Sequence, residues 1–213
     1  MKINNPANYC YKFRLYPNKN QQQLISKTFG CVRYVYNNLL ADAKQQYEES
    51  GKSKIKGYAY LKKDAEWLKE VDSWALANAQ QNLNAAYKNF FREVKKGNIA
   101  FPKFKSKKDR NQSYTTNKST TANNIYIEGR YIRLPKLGLV KMVKHREVEG
   151  IIKSVTISKT PSGKYYASIA VHRDDLIRPL PKTNSHVGID VGKKEYETLS
   201  TGETVGVPNF LLK

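Results

Sequence analysis

Residues 99–117, IAFPKFKSKKDRNQSYTTN, combine cations and aromatic rings in a way that suits a polyanion; we call them the basic segment. Its aromatic rings are Phe101, Phe104 and Tyr114, and its only acid is Asp109. The cations are Lys103, Lys105, Lys107, Lys108 and Arg110. A cation placed on a phosphate releases a condensed counterion, and an aromatic face can stack on an unpaired base. The segment predicts a nucleic-acid contact, with a solvated loop that keeps a basic protein soluble as the alternative.

Local charge favours the first interpretation. Residues 87–110 contain nine lysines and arginines against two acids, a density that solubility alone does not need. Because Pro102 removes a backbone donor and fixes φ, the segment is expected to be an extended connector and not a helix.

A polar stripe on a predicted helix is the second feature that could contact nucleic acid. Over residues 74–96 the apolar positions recur every three, four or seven residues, which predicts a helix. The side chains off the apolar stripe are Gln80, Gln81, Asn84, Lys88 and Arg92. Amides and cations can contact base edges or phosphates, although solvated amides on a helix are commonplace.

A single aspartate is the third feature. Residues 186–207, HVGIDVGKKEYETLSTGETVGV, place Asp190 at the end of an apolar strand, followed by two predicted hairpin strands. An RNase H-like metal nuclease begins in this way. The Gly-Ile-Asp-Val-Gly pattern also begins actin-like ATPase folds, and a lone aspartate in a turn often only caps it.

Composition restricts the class of protein. The 213 residues are 39% hydrophobic, enough for a real core in one large or two small domains, and the net charge is +20. Nucleic acid is favoured over a membrane, because no amphipathic helix with a tryptophan or phenylalanine face, no apolar run of about 20 residues and no signal-peptide core stands out. We therefore expect a cytoplasmic protein. Cys10 and Cys31 are expected to be two buried thiols.

The elements that position these residues follow from periodicity. Asn18 and Gln21 have the form of a reciprocal cap for a long helix over 20–49, and shorter helices are predicted over 60–71 and 74–96, the last capped by Ser73. Period-two alternation predicts strands over the following ranges: 9–16, 125–127, 131–134, 139–144, 151–158 and 164–172. A strand, a helical insertion and several strands together predict an α+β protein, a small β-barrel interrupted by three helices.

Five sequence blocks resemble the TnpB family (OrfB-type) of transposon-encoded, RNA-guided DNA nucleases, relatives of the type V CRISPR effectors. In order they are YKFRLYPNKNQQQLI, TFGCVRYVYN, FPKFKSKK, SYTT and VGIDVGKKEY. The resemblance covers nearly all of this chain and implies a wedge-type β-barrel, an inserted recognition domain and the first strands of a RuvC domain. The expected boundaries are 1–17 for the first wedge strand, 18–98 for the recognition domain, 99–175 for the basic segment and remaining wedge, 176–185 for a linker and 186–213 for the RuvC-like start.

The resemblance also implies partners and site residues. In such proteins a guide RNA pairs with target DNA, while the wedge and recognition domains read a short motif beside the target. Candidates here for reading that motif or contacting the nucleic-acid backbone are Gln80, Gln81, Asn84, Lys88, Thr115, Thr116 and Asn117. Asp190 matches the first RuvC carboxylate. The family's other carboxylates and its paired-cysteine zinc element would lie beyond Lys213, so no cofactor is expected for this chain alone, whereas the complete family nuclease uses Mg²⁺.

Three hypotheses remain open from the sequence. The leading one is a protein that binds guide RNA and recognises DNA without a complete nuclease site. The second is the N-terminal part of an active endonuclease, its site completed elsewhere, by a second chain or by self-association. The third is a DNA-binding regulator that uses no RNA.

Overall fold

The computed structural model describes residues 7–50, 55–97, 101–109, 111–173, 186–192 and 195–206. These residues form an α+β protein in two compact units, 7–173 and 186–206. None of the described helices is long and apolar enough to cross a membrane.

A seven-stranded antiparallel sheet forms the larger part of the first unit. Its strands are β1 (Ala7–Tyr16), β2 (Gln112–Asn117), β3 (Tyr126–Glu128), β4 (Tyr131–Leu134), β5 (Gly138–Val143), β6 (Ile151–Lys159) and β7 (Tyr165–Arg173). The order across the sheet is β2, β6, β7, β1, β5, β4, β3, so the first strand of the chain lies in the middle. The sheet curls into a half-barrel with β2 and β3 at its two edges, which is more open than the barrel predicted from the sequence.

Alternation along the strands separates core from surface, as the period-two pattern predicts. In β7, Tyr165, Ala167, Ile169 and Val171 are buried. Strand β2 was not predicted, because most of the side chains in QSYTTN are polar. It pairs with β6 from Gln112 opposite Lys159 to Asn117 opposite Ser154, so the end of the basic segment is part of the sheet.

Three helices are inserted between β1 and β2. Helix α1 is Lys19–Ser50, and its predicted cap is confirmed: Gln21 N donates to Asn18 Oδ1 at 2.9 Å, and Asn18 N donates to Gln21 Oε1 at 3.0 Å. The predicted helix over 60–71 is wrong in its continuity. Only α2 (Leu61–Asp64) is α-helical, between 3₁₀ turns at Tyr58–Tyr60 and Glu66–Glu70, because Ala65 leaves the helical region at φ −124°.

Helix α3 is Ser73–Val94, and its cap is one residue earlier than predicted. Asp72, not Ser73, is the N-cap, and its carboxylate accepts a hydrogen bond from Trp74 N at 3.2 Å. Buried residues Leu76 and Leu83 place one face of α3 on the core.

Two hydrophobic clusters hold the first unit together. Phe13 from the sheet packs with Phe29 of α1 and Ala75 of α3, while Leu40 and Leu68 belong to a second cluster among the helices. Leu24 and Val32 of α1 pack against both clusters, so the helices and the half-barrel share one continuous interior.

The second unit is a three-stranded meander of β8 (Ile189–Asp190), β9 (Glu195–Leu199) and β10 (Thr204–Gly206). The strand predicted at 196–199 and its short successor are present, joined by a turn in which Gly202 has φ +87°. The apolar side chains Val187, Ile189 and Val191 are more than half exposed.

One of the two cysteines is buried as predicted, and the other is not. Cys31 is buried in α1, where burial raises its thiol pKa to about 11. Cys10, predicted to be buried, is exposed on β1, because the pleat of that strand turns Tyr11 and Phe13 inward and Cys10 outward.

Candidate nucleic-acid interface

The first nine described residues of the basic segment, 101–109, form a loop docked on the helices; we call it the connector loop. Asn37 of α1 holds its middle: Lys105 N donates to Asn37 Oδ1 at 2.8 Å, and Asn37 Nδ2 donates to Lys105 O at 2.9 Å. A turn at its end is fixed by Ser106 N, which donates to Asp109 Oδ2 at 3.1 Å. Side-chain hydrogen bonds therefore fix the position of the connector loop.

Aromatic packing fixes the start of the connector loop. The Phe101 ring lies 4.7 Å from that of Phe90 and 5.9 Å from that of Tyr87, both on α3. Phe101 and Phe104 nevertheless remain 39% and 52% exposed. Lys44 of α1 lies over both of these rings, at 5.4 and 4.7 Å. Exposed rings held beside a cation are a surface on which unpaired bases can stack.

The predicted cations of the connector loop divide into two kinds. Lys103, Lys107 and Lys108 are exposed and suited to phosphate contacts. Lys105 is exposed by surface area as well, but its amine lies over the Tyr36 ring at 4.4 Å, and partial burial of that amine lowers its pKa, an effect that Asp109 partly offsets. Arg110 lies outside the described residues.

The residues of the predicted polar stripe of α3 differ in their exposure to solvent. Gln81, Lys88 and Arg92 are exposed, and Asn84 is half-buried. Gln80 is occupied, because its Oε1 accepts a hydrogen bond from Tyr58 N at 3.1 Å and so supports the turn before α2.

The predicted residues of β2 are mostly structural in this arrangement. Tyr114, expected to contact nucleic acid, is buried against Phe29 at 5.8 Å, so its ring is not accessible for stacking. Thr116 is buried as well. Thr115 Oγ1 lies 2.8 Å from Thr156 Oγ1, and Asn117 Oδ1 accepts a hydrogen bond from Asn78.

Sequence reasoning missed Asn37, Lys44 and Asn78. Asn78 Nδ2 lies 2.9 Å from Thr115 O and 3.2 Å from Asn117 Oδ1, so α3 covers the free edge of β2. Trp74, one turn earlier on α3, is 40% exposed. In the sequence, only the one-turn spacing of Trp74 and Asn78 could have indicated that this face of α3 makes a contact. That spacing does not show which strand the face contacts.

Known proteins identify the family. A family model described as a helix-turn-helix domain matches residues 8–52, a stretch whose described residues form β1 and one continuous helix, α1. "Putative RNA-guided DNA endonuclease InsQ" of Escherichia coli is 33% identical over 200 residues, which cover 91% of this chain and 47% of the relative. A "Putative RNA-guided DNA endonuclease" of Streptomyces pristinaespiralis is 33% identical over 93% of this chain and 50% of the relative. "Virulence protein VsdF" of Salmonella dublin is 34% identical over 45% of this chain and 91% of its own length.

The chain belongs to the TnpB family. It spans about half the length of the two endonuclease relatives. The resemblance read from the sequence blocks is therefore confirmed at the level of the family.

Asp190 and its neighbours are the residues that would have to bind the metal ions expected of the TnpB family. Asp190 ends β8 and is exposed, paired in register with Thr198 of β9. The described residues contain no group of three histidines, cysteines, aspartates or glutamates able to hold an ion. A two-metal site needs several carboxylates around ions about 4 Å apart, so the described residues do not fit one.

Proposed function

We propose that this TnpB-family chain binds a guide RNA and a target DNA through one surface. The surface consists of the connector loop, the exposed stripe of α3 and Lys44 of α1. The observation that carries the proposal is the position of Lys44 over Phe101 and Phe104, which are exposed although they lie beside the core. A cation that lies over two partly exposed rings is suited to an unpaired, phosphate-linked base.

Charge supports the same conclusion. Lys103, Lys107 and Lys108 are exposed in the loop, and α3 adds Lys88 and Arg92. Arg92 lies 3.5 Å from Glu93 and shares that carboxylate with Lys96, so the nearby acid offsets part of this charge. Cations in such number steer and hold a polyanion, with little dependence on its sequence.

Base-edge contacts are proposed for Gln81 and Asn84, with Lys88 as a phosphate contact. Exposed amides on a helix can read a short duplex motif through paired hydrogen bonds. The two endonuclease relatives carry RNA-guided DNA endonuclease in their names, which supports RNA and DNA together as ligands.

A second candidate is a DNA-binding regulator that needs no RNA, and the match to a helix-turn-helix domain favours it. Sequencing the nucleic acid that copurifies with the chain, followed by affinity measurements for that RNA and for duplex DNA, separates the two. A specific RNA bound more tightly than a length-matched unrelated RNA supports the first proposal. Duplex DNA bound without any RNA, at unchanged affinity when RNA is added, supports the second.

A further inference from the structure

A groove on the side of α1 has no role in the surface proposed above. It lies between α1 and the 3₁₀ turn Glu66–Glu70, with a volume of about 570 Å³. Trp67 and Tyr34 line it, edge to face with ring centroids 4.9 Å apart. Trp67 is 39% exposed, so a large aromatic face borders open space.

One of the two cations that line the groove forms no ion pair with the described residues. Lys27 and Arg33 both line it, and Lys27 forms an ion pair with Glu70 that ties α1 to the turn carrying Trp67. Over the described ranges, no carboxylate lies within ion-pair distance of Arg33. Arg33 also lines a smaller pocket beside Lys105, so it is positioned between the groove and the connector loop.

Gly30 keeps the groove open. Its backbone is helical, and a Cβ added to it would meet no atom of the described residues within 4 Å, so neither conformation nor packing among those residues requires glycine. Glycine in a helix interior is disfavoured relative to alanine. Close approach of a ligand to the backbone is a use that glycine permits and larger residues prevent.

We infer that this groove holds one unpaired nucleotide of a bound strand, with its base against Trp67 and its phosphate on Arg33. Every base has a π-face that an indole can cover, and a guanidinium matches a phosphate through two hydrogen bonds. A paired base inside a duplex has both faces covered by its neighbours, so the site selects single strands. The volume is within the range of sites that take small ligands. This inference rests on the proposed function and adds a nucleotide position outside the surface described there.

The test uses the two tryptophans of the chain, Trp67 and Trp74, as reporters. Protein labelled with 5-fluorotryptophan gives two ¹⁹F resonances, assigned with Trp67→Phe and Trp74→Phe. The probes are octauridylate, octathymidylate and a DNA duplex of eight base pairs. We expect octauridylate or octathymidylate to shift the Trp67 resonance, and the duplex to leave it in place.

Two substitutions at one position provide the matched variants. Gly30→Met fills the groove and should abolish the shift, weakening single-strand binding by about 5- to 150-fold, which is the range that loss of one stacked base gives. Gly30→Ala adds a methyl group that meets no described atom of the chain and takes up far less of the groove, so it should reduce the shift and the affinity less than Gly30→Met does. Trp67→Ala should lose as much affinity as Gly30→Met, and Trp67→Phe should retain most of it. Thermal unfolding of each variant checks the fold.

Two results would overturn the proposed nucleotide site in the groove while leaving the proposed function intact. One is salt-dependent binding of octauridylate and octathymidylate with an unmoved Trp67 resonance; the other is wild-type single-strand affinity in Gly30→Met. A chain that binds neither strand nor duplex would overturn both proposals.

Discussion

Asn37 and Lys105 lie 68 residues apart in sequence and exchange two hydrogen bonds, which fasten the connector loop to α1. Asn37→Ala should release the loop and destabilise the fold by about 0.5–1.5 kcal/mol, since both bonds are solvent-exposed. Reordering the loop on binding should then weaken RNA affinity by about 2- to 10-fold. Faster amide exchange over 101–109 would show the release. Gln45→Ala, which removes only a bond to Glu49 on the same helix, is the control. Unchanged exchange would contradict the fastening role.

The exposed lysines of the connector loop should act as independent phosphate contacts. Replacing Lys103, Lys107 or Lys108 by Gln should lower the slope of log affinity against log salt by about 0.7 on single strands or 0.9 on duplex. The loss should be the same for all sequences, because lysine is a flexible point charge. Lys164→Gln, in the hairpin between β6 and β7, makes the same charge change elsewhere and should leave the slope unaltered. A slope that none of the three variants alters would show that the loop is not a polyanion site.

Substitutions at Gln80 and Gln81, which are adjacent on α3, should separate an effect on stability from an effect on DNA recognition. Gln80→Ala leaves Tyr58 N without its acceptor and should cost about 1 kcal/mol of stability with no change in sequence preference. Gln81→Ala should keep stability and lower the preference for a flanking DNA motif by about 1–3 kcal/mol. Urea unfolding measures the first effect, and competition among randomised flanking sequences measures the second. Equal loss of affinity for all sequences in Gln81→Ala would make it a phosphate contact.

The buried thiol of Cys31 should make stability depend on alkaline pH. Burial raises its pKa to about 11, so the folded chain holds the proton at a pH where the unfolded chain has released it. The free energy of unfolding should therefore fall as pH rises from about 9 to 11. Cys31→Ala should flatten that decline in urea unfolding at pH 8 and pH 10. At pH 8 a thiol reagent should label exposed Cys10 and spare Cys31 until the chain unfolds.

Asp190 should not contribute to binding. It lies on the second unit, exposed, and one carboxylate holds Mg²⁺ only weakly. Asp190→Ala should keep RNA and DNA affinity within about twofold and change stability by at most about 1 kcal/mol. We expect no magnesium-dependent cleavage of DNA by the 213 residues alone. Cleavage that Asp190→Ala abolishes would show that other carboxylates complete a site around it.

Local pattern predicted most of the elements. The alternation of β7 and the cap of Asn18 with Gln21 are properties of neighbouring residues, and the structure contains both. Strand β2 was missed because its side chains are polar, and its pairing with β6 is what makes it a strand. The predicted helix over 60–71 was interrupted at Ala65, a good helix former whose backbone is set by its place in the helical core.

The position of the candidate site could be proposed from charge, but its geometry could not. Lysine density located the connector loop, whereas Lys44 and Asn37 join it from α1 through contacts that no short-range spacing contains. The same reasoning placed Tyr114 among the binding residues, although its ring is buried. The sequence does not show whether an aromatic residue beside cations points to solvent or into the core.

The central position of β1 in the sheet affects how the chain folds while it is being translated. Both neighbours of β1 are distant in sequence, with Tyr9 opposite Val171 and Arg14 opposite Val143. Helices are stabilised by contacts between residues close in sequence and can form as soon as they leave the ribosome, whereas pairing across such a separation is slow. Most of nascent β1 is therefore unpaired and partly apolar until β7 has been translated, because β5, which is made earlier, pairs only with Arg14 to Tyr16. The early helices that pack on the inner face of β1 can shield it during that interval.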